Sequence, residues 1–509
     1  MEESVKKISE YAQALSSENL LEALITEADF SIKGITYNSK DVEEGFLFVC
    51  KGAHFKEEYL YEALQRGAVA YISEKRYHAD SCVAALIVND IRKSMPVVAR
   101  TYYGDVSRRI KMVGITGTKG KSTTCYFIKS ILDDYLSSEY GVRSAICSGI
   151  DNYDGVSLEE SHLTTPEVME LYRHMSNADA SGIPIMEMEV SSQALKYDRV
   201  NSVHYEIACF LNIGTDHISD VEHKDFEDYF ESKLKIFEQA DNACINMDSD
   251  EYETIRRRAE KTGNVVTFSE SNKQANVYSE NTVSDSGRVQ FDVCINNVNS
   301  YDDTYGHIEL AAFGVINVRN ALAAISIAAV LGVPFKFIQT GLAKALVPGR
   351  MEVYYSSDGK HIGIVDYAHN KLSYEALLSA ITSEFPDKKI VMVFGSTGGK
   401  AQNRREELGS IAGRYCSHVV LTEDDGGEED IPSICREIAS YLGPLCTYEI
   451  IPDRPAAIRK AVADADEDTI VIAAGKAREH YQKRGDHYVD IESDVDVMRQ
   501  SMKLKGAEL

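Results

Sequence analysis

A chain of 509 residues exceeds what one hydrophobic core usually serves, so about three domains are expected. Apolar residues make up 44% and charged residues 26%, a balance that excludes a disordered or membrane-embedded protein and fits a large soluble enzyme. The 80 acidic and 54 basic residues leave a formal charge of -26, which repels a nucleic-acid backbone, and no local basic patch offsets it.

The first residues, Met1 to Lys7, lead into a polar amphipathic stretch without an apolar signal core, so export is not expected. Ten cysteines without a Cys-x-x-Cys pair or a His-flanked metal spacing read as buried thiols of a reducing cytoplasm. Over residues 1–104, short apolar strands such as Gly45 to Val49 and Ala84 to Val88 alternate with helical patterns and predict a small α/β unit. Over 105–347 the strand candidates are Val113 to Thr116, Ile185 to Val190, Ile207 to Ile213, Ala243 to Met247 and Val265 to Phe268. Helical stretches separate most of them, which predicts a doubly wound central domain. Ser269 to Tyr305 is polar with strand-like alternation, as in Val289 to Val293, and predicts a side sheet. The apolar run Ala321 to Val330 is interrupted by Ser326 and falls short of the roughly 20 residues that cross a bilayer, so it predicts a core helix and no membrane partner. Over 348–509, Ile362 to Val365, Ile390 to Phe394, Val419 to Leu421 and Thr469 to Ala473 predict a second doubly wound α/β unit.

Gly114 to Ser122 reads G-x-x-G-T-x-G-K-S, with a strand before it and a helix after it. Glycines at that turn let backbone N–H groups face phosphate oxygens, Lys121 adds charge and Ser122 can ligate magnesium, so the loop predicts nucleotide binding. It leaves kinase, GTPase, motor and ligase open. On the strand candidate Met186 to Ser191, the residues Glu187, Glu189 and Ser191 share one face. An acid near the end of a buried parallel strand needs a partner, and for Glu189 that is either magnesium or substrate at the sheet edge, or a structural salt bridge. The next strand ends in Asn212 to His217, where His217 reads as a ligand or as a packed cap residue. Tyr229, Lys233 and Phe237 are spaced by four, which places Lys233 between two aromatics on one helix face. On these residues alone it is equally a snorkelling lysine or a functional one.

Gly114 to Ser122, Thr164-Thr165-Pro166-Glu167, Met188 to Ser192, Asn212 with Asp216-His217, Tyr229 to Phe237, Gly314 to Ala321, Pro348 to Glu352 and Asp366-Tyr367-Ala368-His369 occur in the order typical of Mur ligases. Across nearly its whole length the chain resembles the MurE type, which adds the third residue to UDP-N-acetylmuramoyl-dipeptide. Ile35 to Lys40 looks like that group's UDP-binding segment. The resemblance implies an α/β protein of three domains. A central P-loop doubly wound domain (105–347) lies between an N-terminal α/β UDP-binding domain (1–104) and a C-terminal Rossmann-like α/β domain (348–509) that takes the amino acid. The implied reaction is an ATP-dependent amide ligation of peptidoglycan precursor synthesis. Its partners are UDP-MurNAc-L-Ala-D-Glu, ATP and a diamino acid, and its metal is Mg2+. A cytoplasmic monomer is expected.

Carried over by position, the resemblance makes Lys121, Glu189, His217 and Lys233 the catalytic set. Lys233 would be carbamylated, and Ser122, Glu189, His217 and the modified Lys233 would hold magnesium. ATP would meet Gly117, Thr118, Lys119, Gly120, Lys121, Ser122 and Thr123, with Asn317, Arg350, Asp366 and His369. Ser39, Thr164, Thr165, Ser191 and Arg199 would bind the UDP-MurNAc-dipeptide, and Lys400, Asp424, Asp425 and Glu479 the amino acid. Gln193 stands where the family commonly has histidine, Asn370-Lys371-Leu372 replaces Thr-Pro-Asp, and Arg478 is atypical beside Glu479. Enzymes that add meso-diaminopimelate usually carry Asp-Asn-Pro-Arg, whereas this chain has the acidic stretch Asp424 to Asp430 and no arginine fork there. By charge this suits a side chain ending in an ammonium, L-lysine before ornithine or meso-diaminopimelate. A folylpolyglutamate synthetase-like ligase is the nearest enzymatic rival, set apart by having no UDP-sugar domain. A P-loop binding protein that has lost catalysis is the other, set apart by the loss of Lys121, Glu189, His217 or Lys233, all of which are present.

Overall fold

The computed structural model describes residues 5–52, 55–77, 83–214, 222–285, 288–399 and 402–505. The chain packs as two compact units. One runs to Tyr278 and takes in Cys294–Thr304 and Asn320–Gly341; the other is made of Ser279–Val293, Tyr305–Arg319 and the chain from Leu342 onward.

Besides a two-stranded pair of Lys6–Lys7 with Ser31–Ile32, the first unit is built on two main sheets. The smaller runs Leu21–Ile25, Ala84–Val88, Ala70–Ser73, Phe46–Val49, Gly34–Thr36, its last four strands parallel. Alternate residues of these strands enter different cores. Leu47, Val49, Ile72 and Leu86 join Tyr11 and Leu15 of the helix Ile8–Ser17 and Met95 and Val98 of the helix Ile91–Tyr103. Phe48, Tyr71 and Ala85 meet Leu60 and Ala63 of the helix Glu57–Gln65 on the opposite side. A strand buried on both faces cannot alternate apolar with polar, which is why these segments read as continuous apolar runs.

The larger sheet has a parallel centre in the order Ala145–Cys147, Ile185–Glu189, Lys111–Thr116, Tyr205–Phe210, Ala240–Asn246, Asn264–Ser269. A hairpin of Asp151–Tyr153 and Leu158–Glu160 extends it past Ala145–Cys147. The strand Lys111–Thr116 lies inside this sheet with Glu189 on one side and Cys209 on the other, both opposite Ile115. The chain leaves it in both directions, so its carboxyl end is the crevice where open α/β sheets collect ligands. The polar segment after Ser269 forms strands at Val277–Asp285, Arg288–Ile295 and Thr304–Leu310, but not the separate side sheet its alternation predicts: Val277 and Tyr278 pair parallel with Phe268 and Ser269 and continue the larger sheet. The apolar run Ala321 to Val330 falls in the helix Asn317–Val330, buried from Ala321 to Ala329. Among the described residues no helix is long and apolar enough to cross a membrane.

The second unit is built on a sheet ordered Glu352–Tyr355, Ile362–Asp366, Thr469–Ala474, Lys389–Phe394, His418–Leu421, Thr447–Ile450, parallel except for its first strand. Ile364, Met392 and Ile472 face the helices Lys371–Glu384, Asn403–Tyr415 and Ile431–Ala439. Val365, Val393 and Val471 face the helices Arg454–Asp464 and Asp494–Leu504. The sheet is therefore covered by helices on both faces. The nine described cysteines, Cys50 among them, are free and buried, as their spacing predicts.

Candidate active site

The glycine-rich loop leaves the strand Lys111–Thr116 and enters the helix Lys121–Tyr140. Two of its glycines have backbone that a side chain would not tolerate. Gly117 has φ +155 with Leu211 Cβ 2.9 Å from where a Cβ would stand, and Gly120 has φ +89 with Asn320 Oδ1 at 2.3 Å from its own missing Cβ. The next strand's exit braces the loop. The Asn212 Oδ1 accepts from the Lys119 N–H at 2.9 Å, its Nδ2 donates to the Lys119 carbonyl at 3.0 Å, and its carbonyl accepts from the Thr118 N–H. Lys121 curls back so that its Nζ donates to the carbonyls of Gly117 at 3.0 Å and Thr118 at 3.3 Å. Ser122 and Thr123 are half-buried in the first helical turn, where free N–H groups and the helix dipole favour an anion.

Lys233 reaches the same loop from the helix Phe226–Leu234. It is 1% exposed, its Nζ donates to the Gly117 carbonyl at 2.9 Å, and it lies 4.8 Å from the centroid of the Tyr229 ring. The Tyr229 hydroxyl lies 3.1 Å from the Thr118 hydroxyl. The α-helix ends at Leu234, and Phe237 sits on a tighter 3-10 turn, Lys235–Gln239, stacked on Phe210. Tyr229 therefore shares the helix with Lys233 while Phe237 lies on the turn beyond it, whereas the spacing by four predicts one helix face for all three.

Glu189 ends the strand beside the loop. It is 1% exposed, its Oε1 accepts from the Gly149 N–H at 2.8 Å, and no ion pair holds it among the described residues. Glu187, two residues earlier, is fully buried near Lys129 and Asp133 and accepts from the Ser144 hydroxyl at 2.9 Å, while its Oε2 has no hydrogen-bond partner. Burial pushes its carboxyl up to about 8, the Lys129 ammonium acting against the shift. The shift favours the protonated form of Glu187 at neutral pH.

Thr165 ties Ser191 to this strand. Its hydroxyl donates to the Glu189 carbonyl at 2.9 Å and accepts from the Ser191 N–H at 3.0 Å. The Ser191 hydroxyl caps the helix Ser192–Lys196 through the Ala194 N–H. Arg199 pairs with Glu167 at 2.9 Å, and Thr164 is half-buried beside Gly149. Ser39 opens a short 3-10 turn in the smaller sheet, is 6% exposed and donates to Glu62 at 2.7 Å.

His223 is a residue that no sequence signal marks, since Glu222-His223-Lys224-Asp225 reads as a charged surface turn. The structure buries it completely, with Nε2 3.0 Å from the Ser192 hydroxyl and Nδ1 3.2 Å from Asp228, edge-on to Tyr229. Burial, and then the Lys196 ammonium, holds its imidazole below the ordinary value. Gln193, in the place of the family's histidine, donates to Glu222 at 3.1 Å. His217 and Lys400 lie outside the described residues.

In the second unit the remaining expected residues other than Asn317 lie in one cluster. Asp366 is 8% exposed and accepts from the N–H groups of Met351 at 2.8 Å and Ala368 at 2.7 Å; burial raises its pKa against the lowering effect of Arg350. The Arg350 guanidinium lies 5.0 Å from the centroid of the Tyr367 ring, and His369 packs edge-on to the same ring. The Tyr367 hydroxyl donates to Glu479 at 2.8 Å. Lys476, 1% exposed, pairs with Glu479 at 2.5 Å and with Asp425 at 2.9 Å. Asp424 is buried and its pKa is raised by that burial. Two carboxylates, Asp425 and Glu479, therefore share the Lys476 ammonium, while Asp424 feels chiefly the Arg454 cation, which also pairs with Asp494 at 2.7 Å, and Glu423 pairs with Arg484 at 2.7 Å. Asn317 donates to the Phe313 carbonyl at 2.7 Å.

Residues 115–328 match the model of the Mur ligase middle domain, and residues 349–477 that of the Mur ligase glutamate ligase domain. The chain is 35% identical to a UDP-N-acetylmuramyl-tripeptide synthetase of Bifidobacterium longum (strain NCC 2705), covering 95% of this chain and 94% of that protein. It is likewise 35% identical to a UDP-N-acetylmuramoyl-L-alanyl-D-glutamate--L-lysine ligase of Enterococcus faecalis (strain ATCC 700802 / V583), over 89% of this chain and 88% of that one. The solved structure of a UDP-N-acetylmuramoyl-L-alanyl-D-glutamate--2,6-diaminopimelate ligase superposes with a TM-score of 0.64 at 23% identity, covering 93% of this chain and 95% of that one, which shows the fold.

Proposed function

The chain belongs to the Mur ligase family, and from that premise we propose that it uses ATP to join L-lysine to UDP-MurNAc-L-Ala-D-Glu in the cytoplasm, releasing ADP and phosphate. The observation that carries this reading is the shared strand end. Glu189 lies in register with Ile115 just before the glycine-rich loop, and its own carbonyl is held by Thr165, which also fixes Ser191. A phosphate cradle and a polar acceptor wall thus stand on adjacent strands, as transfer from ATP to a carboxylate requires.

In this mechanism the D-glutamate carboxylate attacks the γ-phosphorus, the bond to the β-phosphate oxygen breaks, and ADP leaves. The amine of lysine then attacks the acyl phosphate carbonyl, loses a proton and expels phosphate. Lys121, with the loop N–H groups, neutralises the phosphates; Thr165, Ser191 and Arg199 orient the acceptor. The oxygen donors Ser122 and Glu189 suit magnesium, a hard cation, and Glu189 is buried without an ion pair among the described residues. Magnesium held there would supply neutralising charge for the ATP phosphates. Carbamylation would turn Lys233 from a cation into a third oxygen donor, and a carbamate nitrogen keeps one N–H for the Gly117 carbonyl that Lys233 already meets.

In the same reading residues 1–104, 105–347 and 348–509 bind the UDP-sugar, ATP and amino acid respectively. The excess carboxylate around Lys476 favours an incoming ammonium and supports lysine. The test is incubation with ATP, magnesium, UDP-MurNAc-L-Ala-D-Glu and one amino acid at a time, with the UDP-tripeptide read by mass spectrometry. Lysine is expected to give product well above ornithine and meso-diaminopimelate. Product with meso-diaminopimelate alone would overturn the specificity, and no product with any diamino acid would overturn the function.

A further inference from the structure

In the first unit the smaller and the larger sheet are joined by a cluster in which only Arg199 has a role above. Glu167, at the foot of the helix Val168–Ala180, holds one cation on each carboxylate oxygen: Lys51 Nζ at 2.5 Å on Oε2 and Arg199 Nε at 2.9 Å on Oε1. Lys51 directly follows Cys50 at the exit of the strand Phe46–Val49 in the smaller sheet, whereas Arg199 follows the helix Ser192–Lys196 of the larger one. Lys51 also lies over the Tyr37 ring, 3.9 Å from its centroid, and the Tyr37 hydroxyl donates to Glu170 one turn further along the helix. Arg199 reaches back to the Thr165 carbonyl at 3.4 Å. The side chains of Lys51, Glu167 and Arg199 are 17 to 22% exposed, so water screens these pairs less than it would on an open surface.

The position of the cluster gives it a consequence for binding. Tyr37 neighbours Ser39, and Arg199 touches the turn that carries Thr164 and Thr165, so one set of contacts fixes the distance between the two ends of the acceptor surface read under Proposed function. A ligand that must touch both sheets gains its second set of contacts only when their separation matches its length. We propose that Glu167 and Lys51 are positioning residues for the UDP-linked acceptor: they clasp the smaller sheet to the larger so that a substrate spanning both is met at both ends. Lys51 acts through Glu167 and does not itself hold the diphosphate.

The inference rests on the acceptor being UDP-MurNAc-L-Ala-D-Glu, and the test separates the two ideas. Binding of that compound and of UDP alone is titrated by calorimetry and ligand-observed NMR on wild type, Lys51→Met, Lys51→Arg, Glu167→Gln and the Lys51→Met/Glu167→Gln pair. Lys51→Met is expected to weaken the full acceptor about tenfold while leaving UDP within twofold, since UDP needs one sheet only. The KM for the acceptor should rise in step and the KM for ATP should not. Lys51→Arg should restore most of the affinity, and the double variant should lose less than the product of the single losses. An equal loss for UDP would make Lys51 a direct phosphate ligand and overturn the clasp, as would unchanged acceptor affinity in Lys51→Met. If wild type bound no UDP-MurNAc-L-Ala-D-Glu, the functional reading would fall and take the clasp with it.

Discussion

Replacing Glu187 by glutamine makes the protein more stable above neutral pH and leaves it nearly unchanged near pH 5. The side chain is fully buried, and its carboxyl titrates at about 8 instead of the ordinary 4.5, chiefly through burial. A carboxyl with a raised folded pKa keeps its proton in the native state after the unfolded chain has lost it. Stability therefore falls as pH rises between those two values and levels off above the higher one. Integrating that difference from pH 5 to pH 7.5 gives about 3 kcal/mol lost by the wild type and not by Glu187→Gln. Glutamine matches the shape, can still accept from Ser144 and has no proton to lose. Urea unfolding at several pH values, followed by circular dichroism and by the fluorescence of the 29 tyrosines in a chain without tryptophan, reads the difference directly. Parallel pH dependences for wild type and variant would refute the buried, protonated state.

Lys233→Ala should lower turnover by about 100-fold or more, and formate or acetate should restore part of it by supplying the missing carboxylate. Full activity of the variant would remove Lys233 from the mechanism. Gly120→Ala forces a Cβ into Asn320 Oδ1 at a φ of +89 and should raise the KM for ATP at least tenfold, with strain of about 1–3 kcal/mol. A wild-type KM for ATP in that variant would mean that the loop adapts.

The parallel strands were legible because burial on both faces leaves an unbroken apolar run. Lys111–Thr116, Lys389–Phe394, Ile362–Asp366 and Thr469–Ala474 each fall within two residues of where their pattern predicts, as does Ile185–Glu189 although two buried glutamates interrupt its apolar residues. The edge elements were not. Leu21–Ile25 alternates partly buried and exposed residues and borders a single strand, while the hairpin Asp151–Tyr153 and Leu158–Glu160 is short and polar; in both, pairing supplies an order that composition does not signal.

By itself the sequence determined the chemistry at the glycine-rich loop, since the spacing of glycines, lysine and serine dictates how backbone N–H groups meet phosphate, and its motif order placed the chain among the Mur ligases. Only the tertiary structure decided what surrounds those residues. It set Lys233 on the Gly117 carbonyl, favoured the protonated form of Glu187, placed Lys476 among Asp425 and Glu479, and brought Lys51 and Arg199 onto one carboxylate. Each of these depends on burial and on partners distant in the chain, and such partners leave no local pattern to read.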